Sequence, residues 1–304
     1  MNQIRGIYAP ILTPFNADQT INWESLKLHL ERLIQARIHG IFALGSTSEA
    51  LFLPIELKKE LVYRTLKFVG NRTPVIVQTG CNVLADTIEL STYALDSGAQ
   101  ALSIITPYYY PLDEQSLLEY YSNLSQRLPE VPICVYNFPS RTGNDIHPEL
   151  LAKCQQVAPN IVAIKESSES IERFAQLVRE NPTLSILAGT NSLILQSLDR
   201  GCQGAVATLA NVVPEALVDI YENYQNGQVD LAQELQTEIN KIRACLKSLG
   251  PDLQIYKVAA SVFGSYPFTG MYPPHRNLTA TELEGATRKI EELKEDYNEK
   301  IFNS

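Results

Sequence analysis

Ile161-Val162-Ala163-Ile164-Lys165-Glu166 places four apolar residues in a row ahead of an amine and a carboxylate. Continuous rather than alternating hydrophobicity is the pattern of a parallel strand covered on both faces. The pattern returns at Val75-Ile76-Val77, Ile133-Cys134-Val135 and Ile186-Leu187-Ala188. From residue 6 to about 210, each short apolar run leads into turn residues and then into a stretch of helical periodicity, with a repeat of about 30 residues. Strands are predicted over Gly6–Phe15, Gly40–Thr47, Pro74–Gly80, Ala101–Tyr110, Pro132–Pro139, Ile161–Ser167, Leu184–Thr190 and Gly204–Ala210. Helices are predicted between them over Trp23–Arg37, Ile55–Val69, Leu84–Ser97, Glu114–Arg127, Pro148–Val157, Ile171–Glu180, Ser192–Asp199 and Pro214–Tyr224. In the first helix, Leu26, Leu30, Leu33 and Ile34 form one stripe, and Glu24 adds an acidic first turn. Pro54, Pro148 and Pro214 stand at helix starts, where a missing N–H costs nothing.

Eight strand–helix units in series, joined by right-handed crossovers, are the count that closes a (β/α)8 TIM barrel in the α/β class. The competing open, doubly wound sheet lacks its G-x-G-x-x-G after the first strand. Beyond residue 225 the alternation stops, and three helical stretches follow near 228–249, 252–264 and 279–302. The chain is therefore read as a barrel over 1–225 with a C-terminal helical extension over 226–304 packed on it, since about 75 residues is little for an independent core.

Of the 304 residues, 45% are hydrophobic and 19% charged, with a net charge of -9. No basic block is present to neutralise phosphates, which argues against a nucleic-acid partner. No run of about eighteen apolar residues occurs, and the start Met1-Asn2-Gln3-Ile4-Arg5-Gly6 lacks a signal-peptide pattern, so a cytoplasmic protein with no membrane partner is expected. The five cysteines are widely spaced with no C-x-x-C pair, and the four histidines are scattered. No metal site and no cofactor are expected from them.

In a TIM barrel the active site lies at the carboxyl ends of the strands. The residues found there are Thr13, Ser46, Thr47, Tyr108, Tyr109, Tyr110, Tyr136, Arg141, Lys165, Gly189 and Asn191. No histidine is among them, so proton transfer falls to phenol and hydroxyl groups, with Tyr136 ordered by a neighbouring hydroxyl. An amine at the end of an apolar strand has little to solvate it. Burial favours the neutral form of an amine, which condenses with a ketone to a Schiff base; a lysine that snorkels to water is the alternative. Arg141, in the turn after Pro139-Ser140, suits a bidentate grip on a carboxylate or a solvated loop position. Gly45-Ser46-Thr47-Ser48-Glu49 offers backbone N–H groups and hydroxyls to a small carboxylate, or is a polar turn capping a helix.

These motifs carry a resemblance. G-S-T-x-E at 45–49, T-P-Y-Y at 106–109, Y-N-x-P-x-R-T-G at 136–143 and I-K-E at 164–166 fall in the order found in the Schiff-base, pyruvate-dependent lyases that include dihydrodipicolinate synthase, N-acetylneuraminate lyase and 2-keto-3-deoxy sugar-acid aldolases. The chain resembles that family over nearly its whole length. The resemblance implies that pyruvate condenses with Lys165 while the Ser46-Thr47 turn holds its carboxylate. It implies that Tyr136 relays protons with a hydroxyl of this turn and Tyr109 of a neighbouring subunit, that Arg141 binds the second substrate's carboxylate, and that the Val206 backbone abuts the pyruvate methyl. A homo-oligomer, dimer or tetramer, follows from the same resemblance.

Within the family, Arg141 and Thr208-Leu209-Ala210-Asn211-Val212 are similar to the dihydrodipicolinate synthase branch, with aspartate semialdehyde as the second substrate. Ser46 and Tyr108-Tyr109-Tyr110-Pro111 are more like the sugar-acid aldolases and sialic acid lyases, the alternative reading. A catalytically silent barrel that binds a small keto acid is the alternative from another class.

Overall fold

The computed structural model describes residues 4–268 and 270–302, so the reading of Met1–Gln3 lies outside the described residues. Eight parallel strands close into one barrel in chain order. They are β1 (Gly6–Pro10), β2 (Gly40–Ala43), β3 (Val75–Gln78), β4 (Ala101–Ile105), β5 (Ile133–Asn137), β6 (Ile161–Glu166), β7 (Ser185–Ala188) and β8 (Gly204–Val206). Helices α1 (Trp23–Gln35), α2 (Ile55–Val69), α3 (Leu84–Asp96) and α4 (Glu114–Arg127) follow the first four strands. A short α5 (Pro139–Thr142) precedes α6 (Pro148–Val157), and α7 (Ile171–Glu180), α8 (Ile194–Asp199) and α9 (Pro214–Gln225) complete the outer layer. Three further helices, α10 (Val229–Ser248), α11 (Asp252–Gly264) and α12 (Ala280–Phe302), follow the barrel.

The continuous apolar runs have a simple cause. Alternate residues point inward and outward, and both directions are dry. Tyr8, Phe42, Ile76, Ile105, Cys134, Tyr136, Ala163, Leu187 and Val206 fill the barrel interior as one buried cluster. Their neighbours Ile7, Ile41, Val77, Ile104, Val135, Ile164 and Ile186 join a second cluster with the inner faces of the helices. That outer cluster extends to Ile255, Ala259, Phe268 and Ile290, so the C-terminal helices share it.

The observed strands are shorter than predicted at their carboxyl ends, and the reason is local. β1 stops at Pro10, and the next residues turn away through Pro14. β4 ends at Ile105, before Pro107, so Tyr108, Tyr109 and Tyr110 lie in the loop. β8 ends at Val206 because Thr208–Asn211 winds into a 3-10 turn. Such ends lie beyond the last ladder hydrogen bonds, and there the chain is released to build a site.

One buried polar network fastens the barrel entry to the C-terminal helices. The ring of His29, on α1, has its Nδ1 2.6 Å from the Tyr266 hydroxyl and its Nε2 2.8 Å from Asn211 Oδ1. Burial pulls the His29 imidazole down to about 4, so it is neutral near pH 7. Asn211 in turn donates to the carbonyls of Pro10 and Thr208, which pins the loop after β8.

Candidate active site

A cavity of about 280 Å³ opens at the carboxyl ends of the strands, with Lys165 in its wall. Lys165 stands opposite Tyr136 in the pairing of β5 with β6, so both side chains point into the barrel. The Lys165 side chain is buried, with 5% of its surface exposed. Its Nζ lies 3.8 Å from the centre of the Tyr136 ring and 4.5 Å from that of Phe42. Among the described residues no carboxylate lies within ion-pair distance of it. The adjacent Glu166 points to the other face of the strand. It accepts hydrogen bonds from Asn137 Nδ2 at 2.8 Å and from the Ser168 N–H at 2.8 Å, and burial raises its carboxyl pKa. Among the described residues the amine thus packs against aromatic faces with no hydrogen-bond or ion-pair partner.

Tyr136 is buried and held edge-to-face by Phe42, ring centres 6.0 Å apart. Its hydroxyl lies 3.3 Å from Ser46 Oγ. The hydroxyl beside the phenol is therefore that of Ser46, while Thr47 lines the same cavity without a bond to it. Ser46–Ser48 forms one turn of 3-10 helix in which the Ser48 and Glu49 N–H groups donate back to Gly45 and Ser46 carbonyls. The N–H groups of Ser46 and Thr47 have no protein acceptor among the described residues.

Arg141 lies on α5 and lines the cavity, its guanidinium 5.5 Å from the Phe138 ring centre. No carboxylate neutralises it among the described residues. Val206, the last residue of β8, closes the floor. Gly189 permits the approach of β7 to the loop after β6: a Cβ there would stand 2.0 Å from Ser167 Oγ.

Tyr109 is elsewhere. Its side chain is 80% exposed, packs edge-to-face on Tyr110, and does not line the cavity of its own chain. Its backbone takes φ +83°, an unfavourable value for a bulky residue, with its N–H donating to the Thr142 carbonyl at 3.3 Å.

The outer wall of the cavity is built from residues that the sequence does not single out. Arg243 and Lys247 of α10, and Asp252, Leu253 and Tyr256 of α11, also line the cavity, and Arg243 faces Glu169 at 3.4 Å. Arg243 and Lys247 are one helical turn apart, a spacing shared by many solvated helix faces, so no local signal marks them.

Residues 3–292 match the Dihydrodipicolinate synthetase family. The chain is 33% identical to an uncharacterized DapA-like lyase of Halobacterium salinarum, with 86% of this chain and 85% of that protein aligned. It is 34% identical to the 4-hydroxy-tetrahydrodipicolinate synthase of Methanopyrus kandleri, over 80% and 82% of the two chains. Among solved structures it is similar to YagE, a prophage protein of the dihydrodipicolinic acid synthase family from E. coli K12 crystallised with pyruvate, at TM-score 0.90 and 27% identity, covering 95% of this chain and 98% of that one. The 4-hydroxy-tetrahydrodipicolinate synthase of Methylacidiphilum fumariolicum SolV superposes at TM-score 0.89 with 30% identity and 98% of each chain covered. Barrel, motif order and relatives agree: the chain belongs to the dihydrodipicolinate synthetase family of lyases.

Proposed function

We propose that the protein activates pyruvate as a Schiff base on Lys165 and joins it to aspartate semialdehyde, a dihydrodipicolinate synthase type of condensation. One observation carries the reading: a buried amine with no counter-ion among the described residues lies against the ring of a tyrosine whose hydroxyl reaches a serine. In this scheme the neutral Lys165 amine attacks the pyruvate keto carbon and the oxygen leaves as water with a proton from Tyr136, giving a protonated imine. That imine loses a methyl proton, which returns to Tyr136 through Ser46, and becomes an enamine that attacks the aldehyde. The free Ser46 and Thr47 N–H groups take the pyruvate carboxylate, and the Val206 backbone sits by its methyl group. The protonated imine on Lys165 is the electron sink, so the reaction needs no cofactor.

The strained, exposed Tyr109 supports a role outside its own chain, in the site of a neighbouring copy, within a homo-oligomer. The five unpaired cysteines, four of them buried, suit a reducing cytoplasm.

Arg141 supports an acceptor carrying a carboxylate near its aldehyde. Arg141→Ala is expected to lower kcat/KM for pyruvate plus aspartate semialdehyde by about 1.5–3 kcal/mol of transition-state binding, the usual worth of a charged hydrogen bond. A second reading, release of pyruvate from a 2-keto-3-deoxy sugar acid or N-acetylneuraminate, is favoured by the hydroxyl and amide groups of Ser167, Thr190, Asn191 and Thr208 on the cavity wall. Steady-state assays of all three reactions with wild type and Arg141→Ala separate the two. Faster cleavage of either sugar acid, insensitive to Arg141→Ala, replaces aspartate semialdehyde and leaves Lys165 in place.

A further inference from the structure

Glu49 is an unusual residue for the place it occupies. It directly follows the Ser46–Ser48 turn, its side chain is wholly buried, and its backbone takes the left-handed φ +58° that a non-glycine residue adopts only when its surroundings hold it there. What holds it comes from the far end of the chain. Its Oε1 accepts from Lys257 Nζ at 2.5 Å, and its Oε2 accepts from the Tyr272 N–H at 2.9 Å and lies 3.0 Å from His275 Nδ1. Lys257, also wholly buried, donates a second hydrogen bond to the Gly270 carbonyl at 2.6 Å and stands 4.6 Å from the Phe15 ring centre. Burial lowers the Lys257 amine to about 8, against the opposing pull of the Glu49 carboxylate.

The same turn is held from the barrel side. Ser48 Oγ donates to the Ile11 carbonyl at 2.6 Å, and Thr13 Oγ1 donates to the Ser48 carbonyl at 3.1 Å. The Glu49 N–H itself donates to the Ser46 carbonyl at 3.1 Å. A shift of Glu49 can thus be passed to Ser46 through this bond, and the Ser46 Oγ, 3.3 Å from the Tyr136 hydroxyl, has little room to lose before that contact fails. A buried ion pair is a poor device for stability alone, because apolar residues of similar volume serve as well; a device that fixes one registry is its better-attested use.

We propose that Glu49 and Lys257 are a positioning pair, through which the C-terminal helices hold Ser46 against Tyr136 and so set the proton relay. The inference rests on the Schiff-base reading of Lys165. Neither residue touches the cavity, so both act through Ser46.

The test is a double-mutant cycle read on imine formation. Wild type, Lys257→Met, Ser46→Ala and the double variant are mixed with pyruvate for set times and reduced with borohydride. The rate of adduct growth is then taken from intact mass, alongside thermal melts. Lys257→Met is expected to slow adduct formation about tenfold or more, since displacement of a catalytic group on the order of 1 Å costs up to about a hundredfold. In the Ser46→Ala background the same substitution should cost less than about threefold at saturating pyruvate, where the retained Ser46 N–H contact to the carboxylate no longer limits the rate and the hydroxyl that the pair positions is already gone. Equal fold-losses in both backgrounds, or none in either, overturn the proposal and leave the pair a structural one. Should Lys257→Met fail to fold, Glu49→Gln/Lys257→Met takes its place, since it removes both charges and keeps an acceptor for the Tyr272 N–H. Failure of that pair to fold also overturns the positioning role. A wild-type protein that traps no pyruvate overturns the Schiff-base reading itself, which a faulty cycle on a trapping protein does not.

Discussion

Lys165→Met is expected to leave a folded protein that has lost at least about 10⁴-fold of its activity, because the substitution removes the covalent nucleophile and little else. Among the described residues the side chain has no ion pair to break, and a thioether sits well against the Tyr136 and Phe42 faces that now receive the amine. The check does not depend on the identity of the acceptor. An enamine exchanges the pyruvate methyl protons with solvent, so proton NMR of pyruvate in D2O reports the first half-reaction alone. Wild type should exchange the methyl signal and Lys165→Met should not. Unchanged exchange in Lys165→Met, with a normal melt, would place the chemistry on another group.

Tyr136→Phe should lower turnover by about 10² to 10⁴-fold, the range for loss of a positioned acid–base group. The ring remains, and with it the edge-to-face contact with Phe42 and the surface under the Lys165 amine, so the melt should stay close to wild type. What disappears is the hydroxyl 3.3 Å from Ser46 Oγ. The loss should fall on kcat rather than on KM, since pyruvate's carboxylate is assigned to the Ser46 and Thr47 N–H groups. Measured kcat and KM in folded Tyr136→Phe decide it, and a near-normal kcat removes Tyr136 from the relay.

The barrel was readable because parallel strands dry on both faces write themselves as unbroken apolar runs, and Val75-Ile76-Val77 or Ile186-Leu187-Ala188 can hardly be read otherwise. Strand ends were less readable, since prolines and hydroxyl residues beyond them still look extended in sequence. That Lys165 and Tyr136 come together in one cavity was legible for a related reason. Lys165 and Tyr136 are polar interruptions of strands that are otherwise apolar, and they stand opposite one another in the pairing of β5 with β6. The choice between Ser46 and Thr47 as the partner of Tyr136 was not legible, because it depends on the pitch of a single 3-10 turn. The outer wall was hidden more deeply. Arg243, Asp252 and Tyr256 reach the cavity only through the docking of α10 and α11, and Glu49 meets Lys257 across 208 residues of chain. Nothing in local periodicity encodes such a meeting.

Lys165 is the amine proposed to hold pyruvate. Incubating the purified protein with pyruvate and sodium borohydride, followed by intact mass and peptide mapping, tests it with no assumption about the second substrate. A single irreversible pyruvyl adduct is expected, on the peptide containing Lys165 and absent from Lys165→Met. No adduct, or one on a surface lysine at the same yield in Lys165→Met, would contradict it.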